Sequence, residues 1–318
     1  MNDEISHLTA GAAALLVETD ERRIRAIRSR RWVLYPRAKQ ALDKRPFGTQ
    51  MDVGAVGYEW INHSMQPTVL PTHDFRVLIG ADRAQPYSAS IFNISAMSFG
   101  SLSGPAITAL NEGARRGGFA HDTGEGAVSP YHLQGGDLVW EIGTAYFGCR
   151  TADGGFNPDR FAELCRQTDA IKLISIKLSQ GAKPGLGGVL PGEKVTQEIA
   201  DTRGVPVGQT VVSPGYHSAF DGPKGLVDFV VRLRELSGNL PTGFKLCLGE
   251  RTQFLATLRA MIAADVYPDF IIVDGSEGGT GAGPLEFMDH AGTPLDEGLT
   301  TVHRALVGAG LRDRIKVG

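Results

Sequence analysis

Only three cysteines, Cys149, Cys165 and Cys247, occur in 318 residues. They are odd in number and far apart, which argues against a disulfide framework and against a structural zinc site. No run approaches the ~18 consecutive apolar residues of a membrane helix, and the N-terminus lacks a signal-peptide pattern. The chain therefore reads as soluble and cytoplasmic, with no membrane partner. Charge of one sign is also missing: Lys+Arg number 32 against Asp+Glu 35, so nothing general draws the chain to nucleic acid. Both common nucleotide-phosphate signatures are absent, since no complete G-x-G-x-x-G and no G-K-[ST] occurs.

Glycine, by contrast, is abundant. The 41 glycines are about twice the usual ~7% share and follow no collagen period, which implies many tight turns and close backbone approaches. The first 45 residues differ from the rest. Residues 21–31 read ERRIRAIRSRR, with Ile24 and Ile27 one helical turn apart, and predict a solvated N-terminal helical extension; a contact with nucleic acid or a partner is the sharper alternative.

From residue 46 onward the chain reads as one large domain. Short apolar runs at 90–96, 118–121, 171–177, 210–213, 243–248 and 270–274 predict strands, with a seventh beginning at 314–317. Helical patterns at 104–116, 159–168, 226–236, 252–264 and 299–307 separate them. Such alternation predicts an α/β fold with a parallel sheet, and its length favours a (β/α)₈ TIM barrel. The seventh strand starts four residues before Gly318, so the barrel reads as incomplete, without strand eight and most of strand seven.

Polar, glycine-rich clusters follow the candidate strands, where a barrel carries its active site. Met97-Ser-Phe-Gly-Ser-Leu-Ser103 offers small residues beside a flat ligand, or a helix N-cap at Ser103. Thr123-Gly-Glu-Gly126 presents Glu125 to a pocket, or forms a surface turn. Residues 176–192 place Lys177, Gln180 and Lys183 in a glycine-rich loop suited to an anion or an electron-rich ring, unless the lysines are merely solvated. Lys245 interrupts an apolar strand and needs a partner if buried. The run from Asp274 to Ala282 offers successive N–H groups to a phosphate or a ring edge. Together these point to a barrel enzyme with an anionic aromatic cofactor. FMN fits best, because lysines near its pyrimidine edge stabilise the reduced anion.

The stretches SAMSFGSLS, TGEG, KLSQGAKPG-GG-LPG, GFKLC-G and DGSEGGTGA, in this order, resemble the FMN-binding synthase domain of the glutamate synthase family, above all its stand-alone members without a glutaminase domain. The resemblance implies a barrel in which reduced FMN converts 2-iminoglutarate, formed from 2-oxoglutarate and ammonia, to L-glutamate. By position it implies that Glu125 and Lys183 are catalytic, and that Lys177, Gln180, Lys183 and Arg203 bind substrate, Arg203 through a carboxylate. It implies cofactor contacts from Ser95, Ala96, Met97, Ser98, Arg150, Lys177, Lys245, Gly278, Gly279, Thr280, Gly281 and Ala282. No metal site is expected, and no iron–sulfur cluster, because the family's three-cysteine motif lies beyond strand eight. An external electron donor is required, with free ammonia or a glutaminase subunit as the nitrogen source.

Some positions depart from the family pattern. Val189 stands where the large synthases have a substrate-contacting glutamine, and Ser-Pro-Pro-x-His becomes Ser213-Pro-Gly-Tyr-His217. The phosphate-binding segment after strands seven and eight is absent, so residues 1–318 are expected to bind FMN weakly and to aggregate. The alternative to an enzyme is an inactive or accessory fragment of the same family. Residues 1–38 weakly resemble the start of ATP-binding transposition proteins, but no Walker A follows. A 2-hydroxy-acid oxidase barrel would place a histidine–arginine pair late in the chain; His303-Arg304 falls instead in a candidate outer helix.

Overall fold

Strands buried on both faces sort their side chains by parity, and that sorting builds the interior of this molecule. A computed structural model describes residues 48–318, except 50, 51, 59, 61, 70, 73, 74 and 184. The predicted helix at 21–31 and the expected domain boundary at 45/46 lie outside the described residues. The chain divides into two units, Met1–Pro71 and Thr72–Gly318. In the first, the described residues form turns, bends and irregular segments, with Tyr58 and Trp60 stacked at 6.5 Å.

In the second unit the elements run β1 (Arg76–Ile79), β2 (Tyr87–Ser90), α1 (Gly104–Gly117), β3 (Ala120–Asp122), β4 (Asp137–Ile142), α2 (Pro158–Gln167), β5 (Ile171–Lys177), β6 (Val189–Leu190), α3 (Gln197–Arg203), β7 (Val211–Val212), α4 (Gly222–Leu236), β8 (Thr242–Cys247), α5 (Arg251–Ala264), β9 (Phe270–Asp274), α6 (Leu295–Gly308) and β10 (Lys316–Val317). Six of the strands form one curled parallel sheet, in the order β10-β9-β8-β5-β4-β3. Each strand pairs with its predecessor in that series, the arrangement of an incomplete TIM barrel.

The sequence reading needs four corrections. Residues 210–213 do not enter the wall. Val211 and Val212 pair antiparallel with Leu190 and Val189, forming a two-stranded flap from the loops. Residues 90–96 contribute a single parallel bridge, Ile94 to His121, while residues 87–90 pair antiparallel with β1. The wall instead contains β4, whose sequence DLVWEI is interrupted by Glu141 and was not read as a strand. Helix α3 was also missed, although Thr196 caps it by accepting from Ile199 N–H and Gly204 closes it at φ 68°.

Parity gives the sheet two cores. On one face, Trp140, Ile142, Ile174, Ile176, Phe244 and Ile271 pack against α2, α4, α5 and α6 through Phe161, Leu233, Leu258 and Val302. Trp140 stacks on Phe161 at 5.0 Å. On the other face, Ala120, Val139, Leu173 and Phe270 form a small apolar layer with Tyr87 and Ala89 of β2. Gly243 belongs to that layer: a Cβ there would sit 2.2 Å from the Phe270 carbonyl oxygen. Two residues further along the strands the same parity delivers Asp122, Glu141 and Lys245, and four residues further Asp274 and, at the end of β5, Lys177. Among the described residues no helix is long and apolar enough to cross a membrane.

Candidate active site

The C-terminal strand ends and their loops enclose a cavity of about 650 Å³. A site of that size suits a cofactor or small substrate. It is lined by Glu125, Lys177, Gln180, Lys183, Arg203 and Lys245 and by the expected cofactor residues Ala96, Met97, Ser98, Gly279, Thr280, Gly281 and Ala282. The three lysines, up to 68 positions apart in sequence, thus converge. Three expected residues do not line it. Ser95 lines an adjoining 440 Å³ inner cavity that shares Ala96 and Lys245. Gly278 turns away at φ 84°, its N–H held by Asp289 Oδ1 at 2.6 Å. Arg150 lies in a separate cleft behind Arg203, over the Phe147 ring at 5.6 Å, because its extended bridge to Phe156 points it away from the strand ends.

Glu125 organises the cations. Lys177 Nζ approaches its Oε2 at 3.2 Å and Lys183 Nζ donates to its Oε1 at 3.3 Å. Burial opposes the charge on Glu125, but Lys177 and Lys183 overcome it and hold the carboxyl at about 2. Lys183, itself buried, has its pKa lowered by desolvation despite Glu125. Lys245 sits 4.0 Å from Asp274; desolvation works against its charge, and Glu141, Asp274 and Asp122 more than offset it, so its pKa is raised.

Arg203 ends α3, placed by the Thr196 and Gly204 caps. It is 5% exposed, donates Nη2–H to the Phe99 carbonyl at 2.8 Å and stacks over Phe147 at 5.0 Å. Its Nε has no partner, and no carboxylate among the described residues pairs with it, which leaves a guanidinium face for a ligand. The β6–β7 flap adds Val189, Leu190 and Val211 to the wall of the cavity beside it.

Three further groups escaped the sequence reading. Glu141 is buried in the cavity wall, 3.8 Å from Lys177. Asp122 lies behind Lys245, where burial and the nearby Glu141 push its pKa up to about 8. His217 donates Nε2–H to the Lys177 carbonyl at 2.8 Å and accepts the Tyr146 hydroxyl at Nδ1 at 3.1 Å; burial lowers it to about 4, so it stays neutral and steadies the end of β5. The signal for Glu141 and Asp122 was parity, two residues beyond an inward apolar position on a buried strand. Among the described residues no group of three or more His, Cys, Asp or Glu is arranged to hold a metal ion.

A family model described as the conserved region in glutamate synthase matches residues 63–318. The chain belongs to the glutamate synthase family. It is 40% identical over 233 residues to the glutamate synthase large subunit-like protein YerD of Bacillus subtilis, which covers 73% of this chain and 44% of that one. It is 34% identical over 221 residues to the archaeal-type glutamate synthase [NADPH] of Thermotoga maritima, 69% of this chain and 40% of the relative. The archaeal glutamate synthase [NADPH] of Methanocaldococcus jannaschii is 33% identical over 229 residues, 70% and 41% respectively. The chain thus spans less than half the length of these relatives.

Proposed function

We propose that this cavity is the synthase site of an FMN-dependent oxidoreductase that makes L-glutamate from 2-oxoglutarate and ammonia. The observation that carries the reading is the convergence of Lys177, Lys183, Lys245 and Arg203 on one cavity. Three of these cations are paired, while Arg203 faces the cavity without an acid partner among the described residues.

The lining fits FMN: buried lysines suit an electron-rich ring that becomes anionic on reduction, and the 279–282 segment presents small residues to the cavity. Lys177 and Lys245, with backbone from Ala96–Ser98 and Gly279–Ala282, would hold it. Bound FMN supplies the hydride that reduces the imine carbon, its electrons coming from an external donor.

The protein's own groups do the rest. Arg203 holds a substrate carboxylate in the bidentate manner of a guanidinium. Glu125, ionised at every physiological pH, cannot act as an acid; it keeps Lys177 and Lys183 in place and attracts ammonium, whether free or delivered by a glutaminase subunit. Lys183, its proton loosened by burial, protonates the substrate nitrogen as the imine becomes an amine. Imine formation releases one water, and one hydride plus one proton complete the reduction.

The test is to reduce FMN-loaded protein chemically, add 2-oxoglutarate and ammonium without oxygen, and follow flavin reoxidation and glutamate. Reoxidation with an equivalent of glutamate supports the reading; reduced flavin that persists with both substrates present refutes it. Lys183→Met should slow reoxidation more than it weakens 2-oxoglutarate binding.

A further inference from the structure

Glu141 has a chemistry that the reading above does not use. Its side chain is fully buried in the cavity wall, and neither carboxyl oxygen has a hydrogen-bond partner. Its nearest cation, Lys177 Nζ, lies 3.8 Å away, beyond hydrogen-bond distance, and is committed to Glu125 at 3.2 Å. The other groups facing it are Lys245 of β8, Asp274 of β9, Asp122 of β3 and Glu125 from the loop after β3, with Lys183 further out.

Around Glu141 itself two lysines therefore meet four carboxyls, Lys177 and Lys245 against Asp122, Glu125, Glu141 and Asp274, while Lys183 and Arg203 act further out on Glu125. Full ionisation would leave a surplus negative charge away from water, which such a cluster avoids by keeping a proton. The hydrogen bonds say which carboxyl keeps it. Glu125 is bonded by two lysines. Asp122, although burial and Glu141 raise its pKa as well, accepts the Gly124 N–H at 2.9 Å, and Asp274 accepts the Gly181 N–H at 3.2 Å and is partly exposed. Those contacts stabilise carboxylates, and Glu141 has none.

We propose that Glu141 works as a neutral carboxylic acid, presenting an O–H donor beside a C=O acceptor to the cavity and so recognising a ligand edge with a carbonyl next to an N–H, as in lactam and imide rings. An ionised carboxylate only accepts and would repel such a carbonyl. Burial pushes the Glu141 pKa up, which agrees with this state. The ligand's identity rests on the flavin reading, since the pyrimidine ring of FMN carries an edge of this kind; the protonation state does not.

Infrared spectroscopy of the protein without ligand reads the proton directly. The wild type should show a protonated-carboxyl C=O band that fades as pH is raised, that is lost in Glu141→Gln and that persists in Asp122→Asn. A band lost in Asp122→Asn but kept in Glu141→Gln, or no such band, overturns the proposal. FMN titration by fluorescence quenching is the second arm. Wild-type affinity should fall with rising pH, by about tenfold per unit above the carboxyl's pKa, and Glu141→Gln, which keeps a donor and an acceptor, should abolish that fall. An unchanged fall in Glu141→Gln counts against it. A folded wild type that binds no FMN at any pH defeats the flavin reading instead, and the infrared arm still decides the proton.

Discussion

Just before β9, at the N-terminal ends of the strands, Asp269 accepts from Arg83 Nε at 2.9 Å, from Arg234 Nη2 at 2.8 Å and from the Thr242 N–H at 2.8 Å. At the C-terminal ends of the same sheet, Glu141 accepts nothing, and Arg203 is held by a single carbonyl. Both regions bury carboxylates and guanidinium or ammonium groups. One pairs its acid three times and holds strand ends to α4, leaving only Arg234 Nε unbonded; the other leaves both oxygens of Glu141 and the Nε of Arg203 without a partner. In a barrel that division separates stability from chemistry, and here it can be read from how the carboxylates are bonded.

The largest expected effect tests the closed end. Asp269→Ala leaves Arg234 buried without its acid and should cost about 3–5 kcal/mol of stability by urea denaturation, as breaking buried pairs does. Flavin affinity of the folded fraction should hardly change. A loss under 1 kcal/mol would show that the closed network is not a stability element.

Lys177→Ala probes the open end. Losing one charge-assisted contact is worth roughly 1.5–3 kcal/mol, so FMN affinity should drop about ten- to a hundredfold, with a smaller stability loss than in Asp269→Ala. Equal affinity in wild type and variant would remove Lys177 from the flavin site.

Acid should act on the open end in two steps. His217 has its folded pKa depressed from 6.5 to about 4, so the unfolded chain takes up a proton first and stability falls as pH drops from about 6.5 toward 4. Glu125 has its folded pKa depressed from 4.5 to about 2, so its contribution is present above 4.5 and lost as pH falls toward 2. Each limb amounts to about 3–4 kcal/mol at most. His217→Gln should flatten the upper limb and Glu125→Gln the lower one in melts recorded against pH; limbs unmoved by both substitutions would mean other groups carry them.

The sequence made part of this legible. Strands β5 and β9 could be bounded because IKLISIK and FIIVD are apolar runs closed by a charge. The gathering of Lys177, Lys183 and Lys245 followed from their places at strand ends. β4 did not show, because Asp137 and Glu141 interrupt its apolar run, so the residue that hid the strand is the one left unsatisfied in the cavity. Residues 210–213 resemble a wall strand in composition, but only tertiary pairing reveals that Val211 and Val212 bond to the 189–190 flap. Arg150 was placed by position along the chain, which cannot tell which way a loop arginine points.

Arg150 gives the smallest expected effect. Its side chain occupies the cleft behind Arg203 rather than the cavity, so Arg150→Ala should leave FMN affinity within about twofold, as surface changes away from a site do. A tenfold loss would return it to the flavin contacts and blur the boundary drawn here.

The most direct test of the open end is a titration of FMN into the purified protein, followed by the flavin band near ~450 nm. Saturable but weak binding of one FMN per chain, weaker still in both Lys177→Ala and Lys245→Ala, is the predicted result. A folded protein that leaves FMN free, or binding indifferent to both lysines, would contradict the account.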